Sequence, residues 1–257
     1  MQFSDVHVGN EANRPVHERL AAAVDLVSER KPAFVIDTGD LTAHPVYGPE
    51  PEYLAEFDEY RRYTDDLTVP LYVVPGNHDI GYSHPMHPRS TGEPWGDHTQ
   101  LVAVFREKIG PLDQSFEREG VRFVLLNNNP RRSGDPGHLS ASQLAWTEDE
   151  LKRSQPTFIF CHVEVLERGA GAPWGDSSQA LSDLCRTYGV IAVAYGHRHE
   201  LHVTEREGTV YIMCPDLKVQ DHRGVLEYRV CADHFELWHV DVCTRTETRL
   251  GDHHYRP

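Results

Sequence analysis

The sequence is short of basic side chains: 25 Lys and Arg stand against 40 Asp and Glu, a formal charge of −15. Such a field repels a nucleic-acid backbone, so duplex binding is not expected. No apolar run approaches the roughly 20 residues that cross a bilayer, and the start lacks the basic-then-apolar order of a secretory leader. A soluble, cytoplasmic protein without a membrane partner is the expectation. Cysteine is scarce as well. The five cysteines (161, 185, 214, 231 and 243) form no CxxC pair and are odd in number, which argues against a disulfide framework and predicts reduced, mostly buried thiols. Low-complexity linkers and solenoid periods are missing, and 39% hydrophobic content over 257 residues suffices for one large core. One domain over 1–257 follows. PWGD, at 94–97 and 173–176, is the only repeat and reads as turn chemistry.

Histidine, by contrast, is abundant, with 17 residues. Most belong on the surface or in loops, and the pair His253-His254 reads as a solvated tail.

Helical and strand patterns alternate, which predicts an α/β or mixed α+β layered fold. Val16, Leu20, Val24 and Val27 share one face of a helix over 16–30 that Pro32 keeps from continuing. AFVID (33–37) follows as a strand, then a helix over 51–65 and the strand LYVV (71–74). Ser140 and Gln143 make a capping box for a helix to about Ser154, followed by the strand TFIFC (157–161). Asp176 or Ser177 is expected to cap the next helix, with Leu181 and Leu184 inward and Gly189 at its end, before the strand VIAVAY (190–195). After residue 200 only strands are read (TVYIMC, VLEYRV, FELWHV), so the chain is expected to finish as an antiparallel sheet.

Polar clusters sit where the strands end. SDVH offers Asp5 and His7, DTGD offers Asp40, and GNHD offers Asn77, His78 and Asp79. FCH offers His162, and YGHRH offers His197 and His199. The carboxyl ends of neighbouring strands in open α/β sheets converge on one crevice, so all five clusters are expected to face one site. Two carboxylates, an amide oxygen and four imidazoles suit a pair of metal ions. Asp-x-His and His-x-His are expected to aim both side chains one way from an extended segment. Two ions ~3.5–4 Å apart need a bridging carboxylate. Asp40 is the natural bridge, because the preceding Gly39 lets the backbone come close.

The ordered series DVH, GD, GNHD, CH and GHRH, spanning residues 5–199, resembles the calcineurin-like metallophosphoesterases. FEREGVRFVLLNNN followed by LSASQLAWTEDEL is similar to the middle region of that family. The resemblance implies a four-layer αββα sandwich of two mixed sheets flanked by helices. It also implies one ion held by Asp5, His7, Asp40 and His199, and a second by Asp40, Asn77, His162 and His197. The chain departs from the family pattern in three places. Only four residues precede Asp5, so either the start is trimmed or the first strand is unusually short. Glu164 stands where a proline is usual, two places after the FCH histidine. Ala43 stands where purple acid phosphatases have tyrosine, so an iron-tyrosinate centre is not expected.

Two divalent ions (Mn, Fe or Zn) offset Asp5, Asp40 and a bridging hydroxide, leaving a local balance of about +1 that attracts phosphate despite the acidic chain. The function expected is hydrolysis of a small phosphoester by that metal-bridging hydroxide, with a diester such as a cyclic nucleotide or glycerophosphodiester favoured. Asn77 adds no charge. His78 is expected to protonate the leaving group, with Asp79 orienting its ring and favouring its charged form. The loops 81–98 and 163–178 are expected at the mouth, carrying Tyr82, Trp95 and Trp174 but only Arg89 and Arg168 as cations; Arg131 and Arg132 lie in a third loop. Aromatic walls can stack a base or simply pack the loops. The alternatives are a phosphomonoesterase, protein phosphatases included, a nuclease, and a binding scaffold such as the retromer subunit that keeps this fold without catalysis. The sequence leaves oligomeric state open.

Overall fold

The computed structural model describes residues 1–9, 15–43, 51–80, 98–129, 137–167, 171–218 and 223–255. In chain order its strands are β1 (Gln2–Phe3), β2 (Val35–Asp37), β3 (Leu71–Val73), β4 (Gln114–Arg118), β5 (Val121–Leu125), β6 (Thr157–Phe160), β7 (Ala192–Tyr195), β8 (His202–Arg206), β9 (Thr209–Met213), β10 (Val225–Val230), β11 (His234–Val240) and β12 (Glu247–His254). The helices are α1 (Pro15–Arg30), α2 (Pro51–Thr64), α3 (Asn77–Ile80), α4 (His98–Lys108), α5 (Ala141–Leu151) and α6 (Asp176–Tyr188). One sheet runs β12-β11-β10-β1-β2-β3 and the other β4-β5-β6-β7-β9-β8.

Three apolar layers hold these elements together. Val16, Leu20 and Val27 of α1, Phe57 and Tyr60 of α2 and Phe105 of α4 pack on Phe3, Val35, Val73 and Val225 of the first sheet. Leu151 of α5 with Leu181 and Cys185 of α6 cover Val124, Ile159 and Val193 of the second. Between the sheets lie Ile36, Phe123, Phe158, Phe160, Ala192, Ala194, Leu226 and Phe235. Alternation produces this division: Phe158 and Phe160 face the inner layer and Ile159 the outer one. The expected αββα sandwich is the observed architecture.

Local structure follows the sequence closely, with four corrections. The Ser140–Gln143 capping box forms, but α5 ends at Leu151 rather than near Ser154. Neither Asp176 nor Ser177 caps α6; the N-cap is Gly175, with no side-chain hydrogen bond, while Gly189 ends the helix in the left-handed region at φ 67°. The last strands do not make one antiparallel sheet. β9 is buried at all five positions and runs parallel beside β7, as a strand covered on both faces can, whereas β10, β11 and β12 complete the other sheet. His253 is not a solvated tail residue either; it lies in β12 with its ring 4.9 Å from that of Phe235.

Cys161, Cys185 and Cys214 are buried free thiols, and Cys231 and Cys243 are exposed ones. A cavity of about 640 Å³ lined by Phe34, Phe123, Phe158, Phe160 and Tyr228 opens between the sheets at the amino ends of the parallel strands. None of Asp5, His7, Asp40, Asn77, His78, Asp79, His162, His197 and His199 lines it. Among the described residues, no helix is long and apolar enough to cross a membrane.

Candidate metal centre

All nine singled-out residues stand just beyond strand ends: Asp5 and His7 after β1, Asp40 after β2, Asn77, His78 and Asp79 after β3, His162 after β6, and His197 and His199 after β7. The strand ends turn sharply instead of continuing extended. Asp5 (φ 53°), His7 (φ 50°), Asp40 (φ 57°), His197 (φ 74°) and His199 (φ 58°) are all left-handed. The paired aim of Asp-x-His and His-x-His therefore comes from these turns and not from strand alternation, which corrects the sequence reading. A left-handed residue with a Cβ costs roughly 1–2 kcal/mol, and such strain gathers at functional sites. Glycines make the approach possible. A Cβ on Gly76 would lie 2.1 Å from the Asp40 amide, and one on Gly196 would lie 2.4 Å from Asp5 Oδ2.

The side chains converge on two places. His199 Nε2 lies 3.1 Å from Asp5 Oδ1 and 3.2 Å from His7 Nε2. Asn77 Oδ1 is approached by His162 Nε2 at 3.0 Å and by His197 Nδ1 at 2.8 Å. Asp40 stands between, with Oδ2 3.6 Å from His7 Nε2 and Oδ1 3.3 Å from His162 Nε2. Asp5, His7 and His199 form one group able to hold an ion, and Asp40, His162 and His197 another. His7, Asp40 and His78 also meet such geometry. Mixed oxygen and nitrogen donors suit Mn, Fe or Zn. Two imidazole nitrogens only 3.2 Å apart beside carboxylates fit a shared cation better than any hydrogen bond they could make to each other.

Electrostatics support that fit. Burial opposes charge on Asp40, yet His162 and His78 hold its carboxyl below the usual carboxylate range. Asp5 is likewise lowered against its burial, chiefly by His199. Burial works against a charged His162, but Asp40 lifts it to about 10. Its Nδ1 is 2.7 Å from the Thr38 carbonyl, which only accepts, so that nitrogen carries a proton and Nε2 faces the centre. Burial lowers His78 to about 4 and, with the nearby His162, His197 to about 3.

Asp79 does not orient His78. Its carboxylate accepts from the backbone amides of Asp40 (2.9 Å), Thr42 (3.1 Å) and Gly76 (2.8 Å) and from Thr42 Oγ1 (3.2 Å). Those donors pull it toward the backbone of two loops, while His78 Nδ1 faces the Ala43 carbonyl at 3.2 Å. Nor does Asp79 favour a charged ring, since burial leaves His78 neutral at pH 7. The loop residues Tyr82, Arg89, Trp95, Arg131, Arg132 and Arg168 lie outside the described residues.

The sequence reading missed several neighbours of the centre. Asp216, buried just after β9, places Oδ2 3.7 Å from His199 Nδ1. The positive charge of Lys218 disfavours charge on His78 and His199. Arg198, between the two GHRH histidines, stacks 5.1 Å above the Trp174 ring. Asp216 follows the same rule as the motifs, a polar residue directly after a buried strand, and MCPDLK carried that signal.

A model of the calcineurin-like phosphoesterase family matches residues 1–201. The chain belongs to that family. It is a metal-dependent phosphoesterase, a hydrolase of ester bonds. A 3',5'-cyclic-nucleotide phosphodiesterase of Nostoc sp. is 27% identical over 83% of this chain and 76% of its own length. A probable glycerophosphodiester phosphodiesterase of Arcobacter nitrofigilis is 26% identical over 79% of this chain and 72% of its own. Among solved structures, a dimetal phosphatase from Danio rerio has the same fold, with a TM-score of 0.70 at 16% identity over 99% of this chain and 98% of its own.

Proposed function

We propose that this phosphoesterase is dinuclear and acts on small phosphodiesters, cyclic nucleotides or glycerophosphodiesters being the leading substrates. The observation that carries the reading is the position of Asp40, whose two oxygens face the two histidine groups separately. Ions bound there would supply Lewis acidity toward the phosphoryl oxygens and an activated water for attack. Asp5, His7, Asp40 and His199 are the ligands assigned to one ion, and Asp40, Asn77, His162 and His197 those assigned to the other. Asn77 supplies an oxygen without charge, which keeps the site attractive to an anion.

His78 is the proton donor assigned to the leaving group. Because its Nδ1–H is directed at the Ala43 carbonyl, its other nitrogen can donate only from the imidazolium. Burial holds the ring neutral without substrate. The negative charge of a bound phosphoester raises its basicity at the moment a proton is needed.

The diester preference draws support from the two relatives named as diesterases. The argument from a cation-poor mouth is weaker than the sequence suggested, because Arg198 and Lys218 stand close to the centre. The test compares kcat/KM for bis(p-nitrophenyl) phosphate and p-nitrophenyl phosphate on Mn-loaded protein of measured stoichiometry, then for 3',5'-cyclic AMP and glycerophosphodiesters. A diester preference is expected. A monoester preference of tenfold or more, about 1.4 kcal/mol in transition-state binding, reverses the assignment.

A further inference from the structure

Glu164, the residue that replaces the usual proline, is 2% exposed. One carboxylate oxygen accepts from Arg198 Nε. The other, Oε2, has no hydrogen-bond partner and lies 3.9 Å from His197 Nε2, on the side of that ring away from the centre. His197 turns Nδ1 inward, 2.8 Å from Asn77 Oδ1. Two other histidines of the centre repeat this arrangement. His162 has the Thr38 carbonyl behind Nδ1 at 2.7 Å, and His199 has Asp216 behind Nδ1 at 3.7 Å. A metal-ligating histidine generally donates its outer N–H to a carbonyl or carboxylate, which fixes the tautomer and the ring plane.

We propose that Glu164 is a positioning residue for His197: when an ion takes the place of the Asn77 contact at Nδ1 and the ring proton shifts to Nε2, the free Glu164 oxygen is its acceptor and keeps the ring in place. The inference rests on the dinuclear reading for its purpose but not for its geometry. Arg198 steadies the carboxylate from the other side and is itself held over Trp174 at 5.1 Å, so Trp174 is tied to Glu164 through Arg198. A buried carboxylate oxygen without a donor is unfavourable on its own. At 3.9 Å the two atoms are not hydrogen-bonded; a proton on His197 Nε2 would be the nearest partner open to that oxygen and would account for a glutamate at this position.

The test uses the full chain. ¹⁵N-edited imidazole spectra of the Zn²⁺-loaded chain are expected to show the His197 Nε2 proton as a downfield, slowly exchanging signal held by an acceptor; a rapidly exchanging signal, as from a solvent-facing N–H, would overturn the proposal. In addition, Glu164→Met is expected to weaken one of two Mn²⁺ sites by ~10–100-fold, the usual effect of losing an outer partner. Chelator competition followed by electron paramagnetic resonance of free Mn²⁺ measures this. Arg198→Met should leave both affinities within about threefold. Equal losses in the two variants, or none in Glu164→Met, would also overturn it. If Glu164→Met does not fold, the wild-type spectra still decide. A wild-type chain that binds fewer than two Mn²⁺ equivalents refutes the dinuclear reading instead, and the His197 Nε2 signal of the Zn²⁺-loaded chain then tests Glu164 alone.

Discussion

The Asp79 carboxylate accepts a hydrogen bond from the Asp40 amide at 2.9 Å, 39 residues away in sequence. With the Thr42 and Gly76 amides it joins the loop after β2 to the loop after β3. Asp79 thus fixes the backbone of Asp40, the residue proposed to bridge the two ions. Asp79→Ala would leave three amides without their acceptor. Since each unsatisfied buried group costs ~1–3 kcal/mol, we expect a loss of at least ~2 kcal/mol in urea unfolding and weaker binding at both ions. A loss below ~0.5 kcal/mol with intact metal content would restore a purely catalytic role to Asp79.

Asp40→Asn removes the charge shared by the two histidine groups. Metal analysis of the variant is expected to fall toward zero equivalents, whereas Asp5→Asn should lose one ion. Retention of two ions by Asp40→Asn would show that Asp40 does not bridge.

His78→Ala should keep its metals and slow turnover by ~10²–10⁴-fold, the usual contribution of an acid catalyst. Nitrophenyl esters, whose leaving groups need no proton, should be affected less than alkyl esters. Equal losses would point to electrostatic stabilisation by the ring instead.

Stability of the metal-free chain should depend on pH through the same residue. His78 falls from its ordinary 6.5 to about 4 on folding because burial disfavours its charge. Below 6.5 the unfolded chain takes up a proton that the folded one refuses, so His78's contribution is full above 6.5 and is lost as pH falls through about 4. Melting curves of the metal-free wild type and His78→Asn are expected to converge over that window and to run parallel above pH 7. Parallel curves throughout would place His78 in a more polar setting.

Ser140→Ala removes the side-chain half of the capping box of α5 and leaves the half in which the Ser140 amide donates to Gln143 Oε1. About 1 kcal/mol of stability should be lost with kcat/KM unchanged. A change in activity would show that α5 is coupled to the site.

Much of this architecture was legible because its chemistry is concentrated at strand ends. Five polar motifs following short apolar runs picked out the nine side chains that the fold brings together beyond the strand ends. Asp79 was misread because its partners are backbone amides of Asp40 and Thr42, contacts across 39 and 37 residues that no local pattern encodes. The left-handed turns at Asp5, His7, His197 and His199 were hidden for a related reason. Backbone twist there is imposed by packing, and neither Asp-x-His nor His-x-His requires it. The entry of β9 beside β7 was equally non-local, because a fully apolar strand fits a parallel or an antiparallel neighbour.

Asp5, Asp40 and Asn77 rise from one sheet, and His162, His197 and His199 from the other. Asp5 Oδ2 accepts the His197 amide at 2.9 Å across that divide. Ions held as proposed would act as a rivet through the seam of the sandwich. Sliding one sheet over the other would pull apart a coordination shell, so binding resists shear that the apolar inner layer alone resists only weakly. The chain is expected to grow stiffer as well as more stable on loading, by RT ln(1 + [L]/Kd) for each ion.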